Sequence, residues 1–238
     1  MRSTTTSRGI GGVVVLACVA LLAQLAVTHA YNDLPSYPRT ISAAMDRLHE
    51  HVPKNRKLSV HVVGSSIDVE ALVKWDCDKV DILLVGVDME KHEPDQPCVK
   101  SHTGMYSISA TGGKKPDLIW VVNSDLYACP WRRSLWDMIA SRVPVLATYY
   151  DGYEGEIVAR WFKERHDHFS PESIAECDAM TVDIHDPDHA VNHEKHTSVD
   201  STKHAANVIW SVEPNPHKTG ERNAFWMAFK GVDPKDEL

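Results

Sequence analysis

The stretch from Lys115 to Tyr150, KPDLIWVVNSDLYACPWRRSLWDMIASRVPVLATYY, limits the fold more than any other part of the chain. Asp117–Val122 (DLIWVV) is a short apolar run rich in β-branched and aromatic residues, bounded by Pro116 and by Asn123-Ser124. Arg132–Ser141 places Leu135, Trp136, Ile139 and Ala140 at i, i+1, i+4 and i+5, which gives a helix one apolar face. Val143–Thr148 (VPVLAT) is a second buried run. Two fully apolar strands joined by a helix make a βαβ unit, whose strands run parallel and are covered on both faces.

The flanking sequence extends that unit on both sides. Thr40 is placed to cap a helix over Ile41–Val52, with Ile41, Ala44, Met45, Leu48 and Val52 on one face. Leu58–Val63 (LSVHVV) reads as a strand followed by a turn at Gly64-Ser65-Ser66. Asp68–Lys79 has the spacing of a helix using Val69, Leu72, Val73 and Trp75. Asp81–Val87 (DILLVGV) is a buried strand ending at Asp88, Met89–Lys100 a charged loop, and Met105–Ala110 a short strand. After the central unit, Gly155–Arg165 predicts a further helix. Asn207–Val212 and Ala224–Lys230 are apolar strands separated by a segment with two prolines and a glycine, the mark of an antiparallel hairpin. The seven tryptophans fall mostly on predicted strand or helix faces, so core packing is expected of them. The expected fold is α/β: a Rossmann-like, three-layer domain over residues 58–230, with a mostly parallel sheet and a C-terminal antiparallel hairpin. Residues 31–57 form a lead-in and helix before it.

The two ends of the chain carry an address. Residues 1–30 combine Arg2 and Arg8 with an apolar run over Val13–Val27 and small residues at Thr28 and Ala30, so cleavage before Tyr31 is expected. The apolar run of about 15 residues is short for a spanning helix, which needs about 20, so no stable membrane span is expected after cleavage. The last four residues, Lys235, Asp236, Glu237 and Leu238, match the retrieval signal of the endoplasmic reticulum, and residues 231–238 read as the tail that presents it. The expectation is a resident of the reticulum lumen that meets a KDEL-type retrieval receptor and an unidentified lumenal protein partner. In that compartment Cys77, Cys98, Cys129 and Cys177 can pair; four cysteines allow three pairings, and spacing does not choose among them. No Cys-x-x-Cys occurs, which argues against a thioredoxin-like oxidoreductase. Without residues 1–30 the chain holds 23 basic and 33 acidic residues, a balance that argues against nucleic acid as a partner.

With these elements in place, the chain resembles the mitochondrial splicing suppressor 51-like C-terminal domain, which is also found in MYND-type zinc-finger proteins. The matching pieces are Leu58–Ser65 (LSVHVVGS), Ile82–Gly86 (ILLVG), Gly104-Met105-Tyr106, Lys115–Asn123 (KPDLIWVVN), Trp131–Tyr149 and Glu213-Pro214-Asn215-Pro216. They run in the family's order from Leu58 to His217 and are strand cores and turn residues rather than a catalytic signature. The resemblance implies a methyltransferase-like Rossmann domain without an established common activity. The family's zinc-finger module has no counterpart here, and the lumenal address departs from its usual intracellular and mitochondrial setting.

Three constellations can carry chemistry. The turn Gly64-Ser65-Ser66 lies where nucleotide- and S-adenosylmethionine-binding folds bring backbone up to the ligand, and Asp88 follows Gly64 by 24 residues, where such folds set an acid on ribose. Only one glycine is present, so the simpler reading is that Gly64 is a tight turn and Asp88 a solvated strand end. Asn123-Ser124-Asp125 follows a central strand, where Asn123 and Asp125 either contact a small molecule or form an Asx turn. The segment from His166 to His204 is polar and rich in histidine, a surface excursion in which a helix would place His189 and His193 on one face, with His196 nearby, as weak zinc ligands. The combined reading is a lumenal, methyltransferase-like binding or scaffolding module with no cofactor. The alternatives are an S-adenosylmethionine-dependent methyltransferase using Gly64, Ser65 and Asp88 for the cofactor with Asn123 and Asp125 near the substrate, and a weak metal-binding protein.

Overall fold

The computed structural model describes residues 36–66, 70–89, 94–123, 126, 128–164, 177, 205–218 and 222–232. A seven-stranded sheet organises them. Its strands are β1 (Leu58–Val63), β2 (Val80–Gly86), β3 (Val99–Thr103), β4 (Leu118–Val122), β5 (Val145–Tyr149), β6 (Ala205–Pro214) and β7 (Phe225–Val232). Their order across the sheet is β3-β2-β1-β4-β5-β7-β6. The first five run parallel, with Val60 level with both Ile82 on β2 and Leu118 on β4. β7 lies antiparallel to β5 and to β6, closing the sheet with the expected hairpin.

Helices cover both faces. α1 (Ser36–Arg47) buries Tyr37, Ile41 and Ala44, and Leu48 just after it, against Val60, Val62, Leu84, Leu118 and Trp120. On the opposite face, α2 (Arg132–Ser141) and α3 (Gly152–Glu164) pack Leu135, Met138, Ile139, Val158 and Phe162 against Ile119, Val121, Val145, Ala147, Met227 and Phe229. Central strands buried from both sides explain the unbroken apolar runs of β4 and β5, every residue of which is buried. The fold is therefore the three-layer α/β domain expected, with the strand layout of methyltransferase-like Rossmann domains.

Several elements differ from the sequence reading. α1 starts at Ser36 rather than after Thr40. Pro38 sits in its first turn, where its missing N–H costs nothing, and Thr40 is inside the helix, buried, accepting a 3.0 Å hydrogen bond from Asn215 Nδ2. The helix expected over Asp68–Lys79 is absent from its described part, which holds only a three-residue 3-10 turn, Glu70–Leu72, followed by irregular chain. Long-range partners override the local spacing there. The Gln96 side chain accepts from Trp75 N–H and donates to the Val73 carbonyl, each at 2.8 Å, and Cys77 is bridged to Cys98. β3 falls at Val99–Thr103, partly inside the segment read as a loop, while Met105–Ala110 is a turn region and not a strand. An edge strand with polar residues, VKSHT, lacks the apolar signature that marks its buried neighbours.

The second disulfide joins Cys129 to Cys177. Cys77–Cys98 closes a loop of 21 residues, a constraint worth about 3 kcal/mol through the unfolded chain. Among the described residues no helix is long and apolar enough to cross a membrane. Residues 1–30, the His-rich segment with His189, His193 and His196, and the tail Lys235–Leu238 lie outside the described residues.

Candidate functional site

The parallel sheet changes direction between β1 and β4: the chain steps outward from β1 to β2 and β3, and the other way from β4 to β5. Loops leaving adjacent strands on opposite sides of that point diverge, and a crevice opens at their carboxyl ends. A cleft of about 320 Å³ lies there. β1 contributes Gly64, Ser65 and Ser66; β2 contributes Gly86, Val87 and Asp88; the segment after β3 contributes Gly104 and Met105; Asn123 comes from the end of β4; and Trp131 comes from the 3-10 turn Cys129–Trp131 that leads into α2. Four residues singled out in the sequence, Gly64, Ser65, Asp88 and Asn123, are thus brought together. Asp125 and Ser124 lie outside the described residues.

The β1 rim is built by backbone. Gly64 turns the chain with φ +83°. The N–H groups of Gly64 and Ser65 both donate to the Val85 carbonyl at 2.9 Å, while Ser65 Oγ donates to the Val62 carbonyl at 2.8 Å. The next strand end comes so close that a Cβ on Gly86 would lie 1.8 Å from the Ser65 carbonyl oxygen. Ser66 N–H donates to Glu70 Oε2 at 2.8 Å. Three successive amides of the turn are therefore consumed within the protein. In phosphate-binding turns such amides point outward at the ligand.

The β4 rim is built by side chains. Asn123 adopts φ +45°, and its Oδ1 accepts from the Asn223 N–H at 2.9 Å. Thr148 Oγ1 donates to Asn223 Oδ1 at 2.6 Å, and Trp120 Nε1 donates to Thr148 Oγ1 at 3.2 Å. Asn123 thus ties the end of β4 to the connection between β6 and β7, and the Asx turn expected with Asp125 falls on residues outside the described ones.

Glu70 is the residue that sequence reading missed most completely. It is 1% exposed, and its carboxylate accepts from Tyr37 OH at 2.5 Å, Ser66 N and Oγ, and Arg222 Nη1 at 3.3 Å. Burial, then the neighbouring Glu70 charge, holds the Tyr37 hydroxyl well above its ordinary range, so it stays a donor. An acid inside an apparent amphipathic helix gives no sign that it will be buried. Trp131 was also expected in the core, yet it is half-buried and lines the cleft. Its position between Cys129-Pro130 and the start of the helix at Arg132 was the available signal.

Beneath the β1 side, His61 is 5% exposed and lies 3.2 Å from Tyr106 OH through Nδ1. Burial, with a smaller contribution from His102, pushes its pKa down to about 4, so it is neutral at pH 7. Among the described residues no group of three histidine, cysteine or acidic side chains is arranged to hold a metal ion.

No protein-family model matches the chain. No curated protein matches it either. Solved structures of similar layout include a Corynebacterium diphtheriae domain described as a precorrin-6Y C5,15-methyltransferase, with 11% identity and a TM-score of 0.38, covering 81% of this chain and 94% of that one. A second is the CurJ carbon methyltransferase, at 8% identity and TM-score 0.39, covering 83% of this chain and 54% of that one. A third is the precorrin-6Y C5,15-methyltransferase of Geobacter metallireducens, at 7% identity and TM-score 0.34, covering 81% and 86%. The strand order and the reversed seventh strand define the class by themselves: a methyltransferase-like Rossmann domain.

Proposed function

We propose that this protein is a binding module that holds a small nucleoside-type ligand in its strand-end cleft without transforming it, with S-adenosylmethionine as the first ligand to test. The observation that carries the proposal is the chemistry of the lining. The amides of Gly64, Ser65 and Ser66 are occupied by Val85 and Glu70, which leaves no phosphate cradle in the described turn and disfavours a dinucleotide. Among the described lining residues Asp88 is the only ionisable group, exposed at the end of β2 where a carboxylate can accept both ribose hydroxyls. Met105 and Trp131 offer apolar surface for a base. That set binds and orients, but supplies no acid–base pair for transfer chemistry.

Calorimetric titration of S-adenosylmethionine into the oxidised protein tests this. Micromolar binding without methyl transfer to added acceptors supports it. No heat at millimolar ligand removes the ligand assignment. Measurable methyl transfer would replace the binding reading with an enzymatic one, using the same Gly64, Ser65 and Asp88.

The kinship with the mitochondrial splicing suppressor 51-like C-terminal domain belongs to the same proposal, supported by strand cores that follow that family's order. So does residence in the endoplasmic-reticulum lumen with recycling by a KDEL-type receptor. Its support, besides the two ends of the chain, is that Cys77, Cys98, Cys129 and Cys177 are all paired, as an oxidising compartment favours. Deleting Lys235–Leu238 should then send the protein into the medium of expressing cells; intracellular retention of the deleted form would overturn the address.

A further inference from the structure

The cleft has one rim on β1 and one on β4, yet both are held by two consecutive residues from a distant part of the chain. Arg222 and Asn223 lie in the connection between β6 and β7. Arg222 donates to Glu70 Oε1, and the other oxygen of that buried carboxylate holds Ser66 N–H and Oγ, at 2.8 and 3.1 Å. Asn223 faces the other way. Its N–H donates to Asn123 Oδ1, its Oδ1 accepts from Thr148 Oγ1, and its carbonyl accepts from Asn215 Nδ2 at 2.9 Å. It is fully buried and left-handed, with φ +54°, a backbone state that asparagine tolerates better than most residues. Ser66 and Asn123, the two lining residues so gripped, stand on opposite sides of the point where the sheet changes direction.

We infer that Arg222 and Asn223 are positioning residues of the cleft: a strap from the C-terminal hairpin that sets the distance between its two rims and so sets ligand affinity. The effect on Ser66 runs through Glu70. A buried carboxylate stripped of its cation must either draw water in or shift to reach it, and the turn hydrogen-bonded to it moves too. The asparagine arm holds by geometry alone, through amides that carry no charge.

The affinity arm of the test rests on the ligand proposed above; the exchange arm does not. Hydrogen exchange is measured on the full-length, unliganded protein carrying Arg222→Met. Faster exchange is expected in peptides spanning Gly64–Ser66, with β3 and β5 unchanged. Unchanged exchange at Gly64–Ser66 in the folded variant would overturn the inference, as would an equal acceleration over the whole sheet, which is what a merely structural role produces. Where Arg222→Met does not fold, Arg222→Lys carries the same test: it keeps the charge and loses the planar fork, so the same local change is expected at smaller size. In titrations with S-adenosylmethionine, Arg222→Met should weaken binding about tenfold or more, and Arg222→Lys less. An affinity equal to wild type, with exchange locally raised, would overturn the claim that the strap sets affinity. If the wild type binds no S-adenosylmethionine, the ligand proposal fails, and the exchange result alone decides for or against the strap.

Discussion

The two rims of the cleft reach the same result by opposite means. On the β1–β2 side the backbone closes on itself: Gly64 and Ser65 share the Val85 carbonyl, and Gly86 leaves no room for a side chain against Ser65. On the β4–β5 side the contacts are made by Asn123, Thr148 and Asn223 side chains. The first rim tolerates almost no change at the positions of close approach, because backbone meets backbone there. The second depends on particular amides, each replaceable at a moderate cost. The β1 side also sits above a buried histidine, whereas the groups of the β4 rim do not titrate.

Predictions follow the size of the effect on that contrast. Gly86→Ala should do most damage, because the new methyl meets backbone rather than a movable side chain: a loss of about 3 kcal/mol or more is expected, read by denaturant unfolding. A loss below about 1 kcal/mol would mean that the two strand ends separate freely, and the rims would not differ as described.

Acid should loosen the β1 side next. His61 packs against Tyr106, the charge of His102 acts on it from a distance, and Asp137 acts on Tyr106. With a folded pKa of about 4 against an ordinary value of 6.5, the unfolded chain takes up the proton first. Stability contributed by neutral His61 is therefore complete above pH 6.5, declines as pH falls towards 4, and is then lost. The total is of order 3 kcal/mol at most. Unfolding free energies of wild type and His61→Gln, compared at pH 7 and pH 4.5, isolate this from the carboxylates; equal pH slopes would remove His61 from the account.

Asn123→Ala should cost about 1–3 kcal/mol, since it strands the buried Asn223 N–H and places alanine at φ +45°. Asn123→Gly separates the two causes, because glycine removes the strain and not the missing acceptor. Asp88→Ala comes last on stability, within about 0.5 kcal/mol because the side chain is exposed, yet it should abolish measurable binding of S-adenosylmethionine. Unchanged binding would take Asp88 out of the ligand site.

Legibility of the fold tracks burial. β1, β2, β4 and β5 were readable to within two residues because strands covered on both faces must be mostly apolar. β3 was lost because it lies at the edge with polar side chains, and the helix expected after β1 failed because the backbone of Val73 and Trp75 pairs with the Gln96 side chain and Cys77 is bridged to Cys98. Of the candidate site, Gly64, Ser65, Asp88 and Asn123 were found because strand ends can be counted along the chain. Glu70, Arg222 and Asn223 were not, since nothing local distinguishes a buried, paired polar or charged side chain from a solvated one.

What the sequence determined by itself is the parallel α/β layering, the terminal hairpin and the ends of the strands, because hydrophobic period and turn residues are local and additive. Only the tertiary structure decided which cysteines pair, that three amides of the first turn are spent internally, and that residues 222 and 223 grip both rims. Apart from the Ser66–Glu70 contact, those join segments that meet only after the sheet has formed, from 21 residues apart at Cys77–Cys98 to 152 at Arg222–Glu70, and no local pattern encodes a partner at such distances.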